Sequence, residues 1–233
     1  MALELLPVTE ADTARIHEII FQAFESDQLH VLMFPREHAS SYEAYMHESL
    51  RSKLCDSTIT SLKVVDKSLS GDAAIVGYAR WKFPVVKDQN QESMLQKSQN
   101  SEEQPKSPDV PFPAHANKQL MDFFGSQITK LRGQFVDPTR DFVLDFLATD
   151  PAHQGRGVGK VMLKYGLDEL DRRGNGGKAY LESTAVGMPV YRKFGFAPLG
   201  AIEIPLAEFG VEEGGVFTSV VMGRDAQKTE EVL

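Results

Sequence analysis

Residues 141–160 read DFVLDFLATDPAHQGRGVGK, and the fold turns on how this stretch is read. Asp141–Thr149 is rich in Val, Leu and Phe and has the look of a buried strand, which Asp150-Pro151 brings to an end. Glycine then stands at every second position, at Gly155, Gly157 and Gly159. Beyond it Val158, Met162 and Tyr165, with Leu163, Leu167 and Leu170, return at helical spacing. The unit is therefore strand, glycine turn, helix. Glycine has no Cβ to hold backbone amides apart, and a helix that follows presents the positive end of its dipole. Such a turn is a cradle for phosphate oxygens.

Two familiar phosphate motifs fail here. A P-loop needs glycine five residues before Gly159 and Ser or Thr after Lys160, where this chain has Gln154 and Val161. A dinucleotide fingerprint needs Gly-x-Gly-x-x-Gly, which the even spacing of these glycines does not supply. What remains is Gln-x-x-Gly-x-Gly, at Gln154, Gly157 and Gly159.

Working outward, Gly174-Asn175-Gly176-Gly177 stops the helix, and Lys178–Ser183 reads as the next strand. Pro189–Phe194 reads as a short helix ended by Gly195, and Ala201–Leu206 and Phe217–Gly223 as two last strands. Towards the start, Leu3–Val8 is a strand, followed by a helix from a Thr9/Asp12 capping box with Ile16, Ile19, Ile20, Ala23 and Phe24 on one face. Met33-Phe34-Pro35 reads as loop, and a Ser40/Glu43 capping box opens a helix carrying Tyr42, Tyr45, Met46 and Leu50. Thr58–Val65 and Ala74–Phe83 form a hairpin, and Asn117–Leu131 a further helix. Residues 87–113 are crowded with Gln, Ser, Asn, Lys and Pro and carry few large apolar residues, the composition of a flexible polar insertion. The expected architecture is one domain over residues 1–233, α+β with mixed layers, interrupted by that insertion.

Composition narrows the function. A net charge of −8 argues against a general nucleic-acid binder. Residues 151–200 nevertheless hold eight Lys/Arg against four Asp/Glu, and residues 201–233 hold two against seven. An anionic ligand at the first region and a cationic one elsewhere would fit that split, as would chance patterning of solvated surface charge. No apolar run is long enough for a membrane span, the N-terminus has no secretory pattern, and a single cysteine, Cys55, suits a reducing compartment. A cytoplasmic protein is expected. The six histidines show no metal-ligand spacing, so no metal is expected.

The Gln154–Gly159 pattern, together with Tyr191-Arg192-Lys193-Phe194-Gly195-Phe196 after the strand LEST, resembles the GNAT superfamily of N-acetyltransferases. Close similarity runs from about Val143 to Pro198, and LDFLATDPAHQGRGVG is most similar to a loosely defined group of fungal members. The resemblance implies a GNAT-like sheet of six or seven strands with helices on both faces and splayed fourth and fifth strands. It implies acetyl-CoA as co-substrate, its pantetheine paired with Leu147, Ala148 and Thr149 and its pyrophosphate on Gln154, Gly155, Arg156, Gly157, Val158, Gly159 and Lys160. Ser183 and Thr184 would help to hold pantetheine.

The implied reaction is direct transfer of acetyl to a primary amine, expected to be a small molecule. A protein lysine or N-terminal acceptor, and a coenzyme A-binding protein without catalysis, are the alternatives. Tyr191 is the candidate acid for the departing thiolate, or else a core aromatic. Asp145, two residues before Leu147, is placed by strand alternation on the same face; it relays the amine proton, or else is a structural hydrogen-bonding group or an exposed strand residue. Phe34 and Trp81 are core aromatics unless they wall the acceptor pocket. The residues leave open whether the protein is a monomer or a homodimer.

Overall fold

The computed structural model describes residues 3–84, 110–173, 176–211 and 214–227. Seven strands form one sheet in the order β1-β2-β3-β4-β5-β7-β6. They are β1 (Leu3–Pro7), β2 (Ile59–Asp66), β3 (Ile75–Lys82), β4 (Phe142–Thr149), β5 (Lys178–Ser183), β6 (Ala197–Pro205) and β7 (Val216–Asp225). Every pairing is antiparallel except β4 with β5. A parallel pair needs a crossover, and the helix that follows the glycine turn supplies it. The sequence between β3 and β4 contains the expected insertion, yet these two strands are direct neighbours. Most of that expected insertion, residues 85–109, lies outside the described residues; residues 110–113 lead into the next helix, and Phe112 packs edge-on against Tyr45.

The helices are α1 (Thr13–Ala23), α2 (Gln28–Met33), α3 (Glu43–Leu54), α4 (Lys118–Phe135), α5 (Val158–Arg173) and α6 (Met188–Lys193). On one face α5 covers β2, β3 and β4, burying Met162, Leu163, Leu167 and Leu170 against Leu62, Val64, Ala79 and Trp81. Gly166 makes that approach possible: a Cβ there would lie 2.4 Å from the Trp81 ring. The opposite face is covered by α1 over β3 and β4 and by α4 over β6.

The Thr9/Asp12 box forms as expected, with Asp12 accepting from the Thr9 amide at 2.7 Å. The Ser40/Glu43 box does not: α3 is capped by Tyr42, while the neighbouring Ser41 hydroxyl turns back to the His38 carbonyl. The segment read as loop through Met33 is helical as α2, because the Asp27 carboxylate caps it by accepting from the His30 amide at 2.9 Å.

Candidate active site

The β4–β5 ladder is short. It runs through Phe142–Ala179, Val143–Tyr180 and Leu144–Leu181 and then stops, although both strands continue. β4 remains paired with β3 as far as Thr149, and β5 remains paired with β7 as far as Ser183. The strands therefore fork, and Leu147, Ala148 and Thr149 lie along the open edge of β4. An open edge of this kind can pair with an extended ligand as with one more strand.

β4 also carries a bulge. Arg80 pairs with Phe146 and Trp81 with Leu144, so Asp145 is the extra residue. A bulge of one residue reverses the alternation of side chains beyond it. Leu147 consequently packs into the cluster under α5, whereas Asp145 lies on the other face, bonded to Arg132 of α4 at 2.8 Å. The expectation that the two share a face is corrected on this ground.

The environment of Asp145 bears on which of its expected roles it can play. Its second carboxylate oxygen accepts from Arg80 at 2.7 Å, and Lys82 stands 4.0 Å away. Burial alone would raise its carboxyl, but Arg80, Arg132 and Lys82 outweigh it and hold the group well below the usual carboxylate range. A carboxylate so bound is a poor proton acceptor, which favours the structural role. Sequence reasoning missed the partners Arg80, Arg132 and Glu182. No motif marks them; a carboxylate in the middle of the strand KAYLES was the one visible signal.

At the wide end of the fork, β4 gives way to the glycine turn. Asp150 caps the turn by accepting from the Ala152 amide at 2.9 Å and is paired with Arg15. Gly155 and Gly157 have φ of +72° and +85°, a left-handed conformation that favours glycine, and a Cβ on either would meet no atom within 4 Å. The amides of Gly155, Gly157, Val158, Gly159 and Lys160 donate to no described backbone carbonyl, and the first helical bond of this region comes from Val161 to the Gly157 carbonyl. Open space, free amides and a helix of sixteen residues thus meet at one point. Gly77 of β3 lets the start of α5 sit close above the sheet, since a Cβ there would come 2.5 Å from Val158. Gln154 and Lys160 are exposed, and Lys160 makes no ion pair with any described residue. Arg156 pairs with the buried Asp66 and with His153, so it ties the turn to the end of β2. Ser68 and then Arg156 hold the Asp66 carboxyl down to about 2.

Tyr191 of α6 is 9% exposed and stands against the last residues of β5. A Cβ at Gly187 would lie 3.0 Å from its ring, 3.3 Å from the Ser183 hydroxyl and 3.4 Å from the Thr184 hydroxyl. Tyr191, Ser183 and Thr184 thus all border Gly187, just past the end of β5. The Ser183 hydroxyl donates to the Thr184 carbonyl at 2.8 Å, and the Thr184 hydroxyl accepts from the Gly187 amide at 3.2 Å. Burial pushes the Tyr191 phenol well above its ordinary value, so it remains protonated.

Phe34 and Trp81 do not line the fork. Trp81 is fully buried beneath α5 and donates from its indole nitrogen to the Met162 carbonyl at 3.3 Å. Phe34 is buried between His30 and Tyr42, with ring centroids 5.6 and 5.4 Å away. Both are core aromatics. Cys55 is exposed at the end of α3, and no described helix is long and apolar enough to cross a membrane.

Residues 114–196 match the model of the Acetyltransferase (GNAT) family. A search of curated proteins finds no match. Among solved structures the chain resembles the histone acetyltransferase HPA2 and related acetyltransferase from Corynebacterium glutamicum, at 20% identity and a TM-score of 0.56 over 98% of this chain and 99% of that one. It also resembles the ribosomal-protein-S18-alanine N-acetyltransferase from Escherichia coli, at 14% identity and a TM-score of 0.52 over 100% and 99% of the two chains. The C-terminal condensation domain of Ebony, in complex with beta-alanyl-dopamine, gives 12% identity and a TM-score of 0.61 over 97% and 100%. At these identities the likeness bears on fold. The architecture is the mixed α/β GNAT fold.

Proposed function

We propose that this protein is an acetyl-CoA-dependent N-acetyltransferase that transfers the acetyl group directly to a primary amine of a small molecule. The observation that carries this reading is the fork: strands β4 and β5 part after Leu144–Leu181, and the open edge leads to the amides of Gly155, Gly157, Val158, Gly159 and Lys160, which donate to no described backbone carbonyl. The pantetheine arm would pair along Leu147, Ala148 and Thr149, and the pyrophosphate would rest on the glycine turn, with Gln154 and Lys160 beside it and Arg156 holding the turn in place. Ser183 and Thr184 would flank the pantetheine from β5.

In this reading the neutral amine nitrogen attacks the thioester carbon, the carbon–sulfur bond breaks, the nitrogen sheds one proton to solvent, and the leaving thiolate takes one from a side chain that regains it from solvent. Tyr191 is the assigned donor because its ring borders Gly187, beside the Ser183 and Thr184 hydroxyls at the end of β5. A backbone amide on the open edge of β4 would polarise the thioester carbonyl. Asp145 is not assigned a proton, since Arg80 and Arg132 already hold its charge.

The test is release of the coenzyme A thiol from acetyl-CoA across a panel of small primary amines, amino acids and peptides, with mass spectrometry of the products. An acetylated small amine supports the reading. Acetylation of peptides alone would assign a protein acceptor, and no release with any amine would leave a binding protein without catalysis.

A further inference from the structure

The two strands of the fork are joined by one side chain just where their pairing ends. Asp145 and Glu182 are the first residues past the last β4–β5 pair. Arg132 reaches between them from α4: its Nε and Nη2 donate to the two Glu182 oxygens at 2.8 and 2.7 Å, and its Nη1 donates to Asp145 at 2.8 Å. All three side chains are four-fifths buried or more, at 20%, 12% and 9% exposure for Arg132, Asp145 and Glu182. The far oxygen of Asp145 is held by Arg80 of β3, so the link extends across three neighbouring strands.

We infer that Arg132 is a positioning residue that sets the width of the fork and thereby the affinity for coenzyme A. The inference rests on the acetyltransferase reading above. A guanidinium is planar and rigid, with donors on separate edges, so it can hold two carboxylates at one fixed separation. Those carboxylates belong to strands that would otherwise be free to draw together into a longer ladder or, with like charges facing, to part further. α4 is seated on β6 and packs into the same apolar cluster as Val143 of β4 and Tyr180 of β5, which fixes where Arg132 leaves the helix. A ligand that pairs with the β4 edge needs that edge at a constant distance from the β5 wall. Among the described residues the side-chain bonds of Arg132 run to Asp145 and Glu182 and to neither the glycine turn nor Tyr191.

The experiment compares coenzyme A affinity, by calorimetry, with thermal melting and the Michaelis constants of the intact chain and three variants. Arg132→Lys keeps one positive charge but not the two-edged geometry. It should melt close to the parent yet bind coenzyme A about ten-fold more weakly, with the Michaelis constant for the amine unchanged. Arg132→Met should lose more affinity than Arg132→Lys. The triple variant Arg132→Met/Asp145→Asn/Glu182→Gln removes the facing charges and should regain part of the affinity lost by Arg132→Met. A parent that binds coenzyme A beside an Arg132→Lys that binds equally well would overturn the clamp alone, whatever the folding of the other two. A parent that binds no coenzyme A would remove the acetyltransferase reading and the clamp together.

Discussion

Asp145 and Leu147 stand two residues apart on β4 and face opposite sides of the sheet, because the bulge at Asp145 reverses the alternation between them. Asp145 is thereby committed to Arg80 and Arg132, while Leu147 anchors the open edge of the fork to the core under α5. Asp145→Asn should destabilise the fold by on the order of 2 kcal/mol at neutral pH, the scale of lost hydrogen bonds to charged partners. The pH dependence has a definite sign. The folded carboxyl lies below its unfolded value of about 3.9, so its contribution is present above that pH and fades as pH falls further. Urea unfolding of parent and variant should show a constant gap above pH ~5 that closes in stronger acid. A gap that persists undiminished at the lowest pH would reject the ion-pair account.

Tyr191→Phe should retain coenzyme A affinity and lower turnover by about 10²–10⁴-fold, the usual range for a lost general acid. Burial favours the neutral phenol, so the stability it confers is full below about pH 10 and is lost only above it. Ultraviolet difference titration of parent against variant should accordingly show no Tyr191 ionisation below pH ~10. Unchanged turnover would return Tyr191 to a core aromatic.

Most of the fold was legible because its signals are local. Strand, glycine turn and helix at 141–173 follow from composition and spacing, and they fix the parallel crossover. The site was legible where a backbone conformation demands a residue type, as at Gly155 and Gly157. It was illegible where the function of a side chain depends on partners far away in the chain. Asp145 was misplaced because a bulge leaves no mark on a sequence read by alternation. The pairing of Arg156 with Asp66, ninety residues earlier, left no mark in the sequence. Trp81 looked available as a pocket wall until Gly166 was seen to admit it beneath α5. α2 was hidden by the proline that follows it.

Gly157→Glu should abolish coenzyme A binding. The residue sits at φ +85°, where a side chain is strained, and a carboxylate would enter the space beside the free amides. Calorimetry would read the loss, and circular dichroism would check that the fold survives. Parent-like affinity would show that the pyrophosphate does not bind at this turn.

Gly166→Ala tests the packing that carries α5. Its new methyl would collide with the fully buried Trp81, which has no space to retreat. Overpacking of this kind costs about 1–3 kcal/mol. Denaturant unfolding should show that loss; an unaffected midpoint would mean that α5 can lift from the sheet without cost.

The central claim, that the fork and glycine turn bind acetyl-CoA, is tested most directly by thermal melting with and without acetyl-CoA, beside NAD as a control. A ligand selective for the folded state adds roughly 2.7 kcal/mol at a concentration one hundred times its dissociation constant. For a chain of this size that corresponds to a rise in Tm of roughly 5–10 °C. The expected result is a rise of that order with acetyl-CoA and none with NAD. An unchanged Tm with acetyl-CoA at millimolar concentration, or an equal rise with NAD, would contradict the assignment.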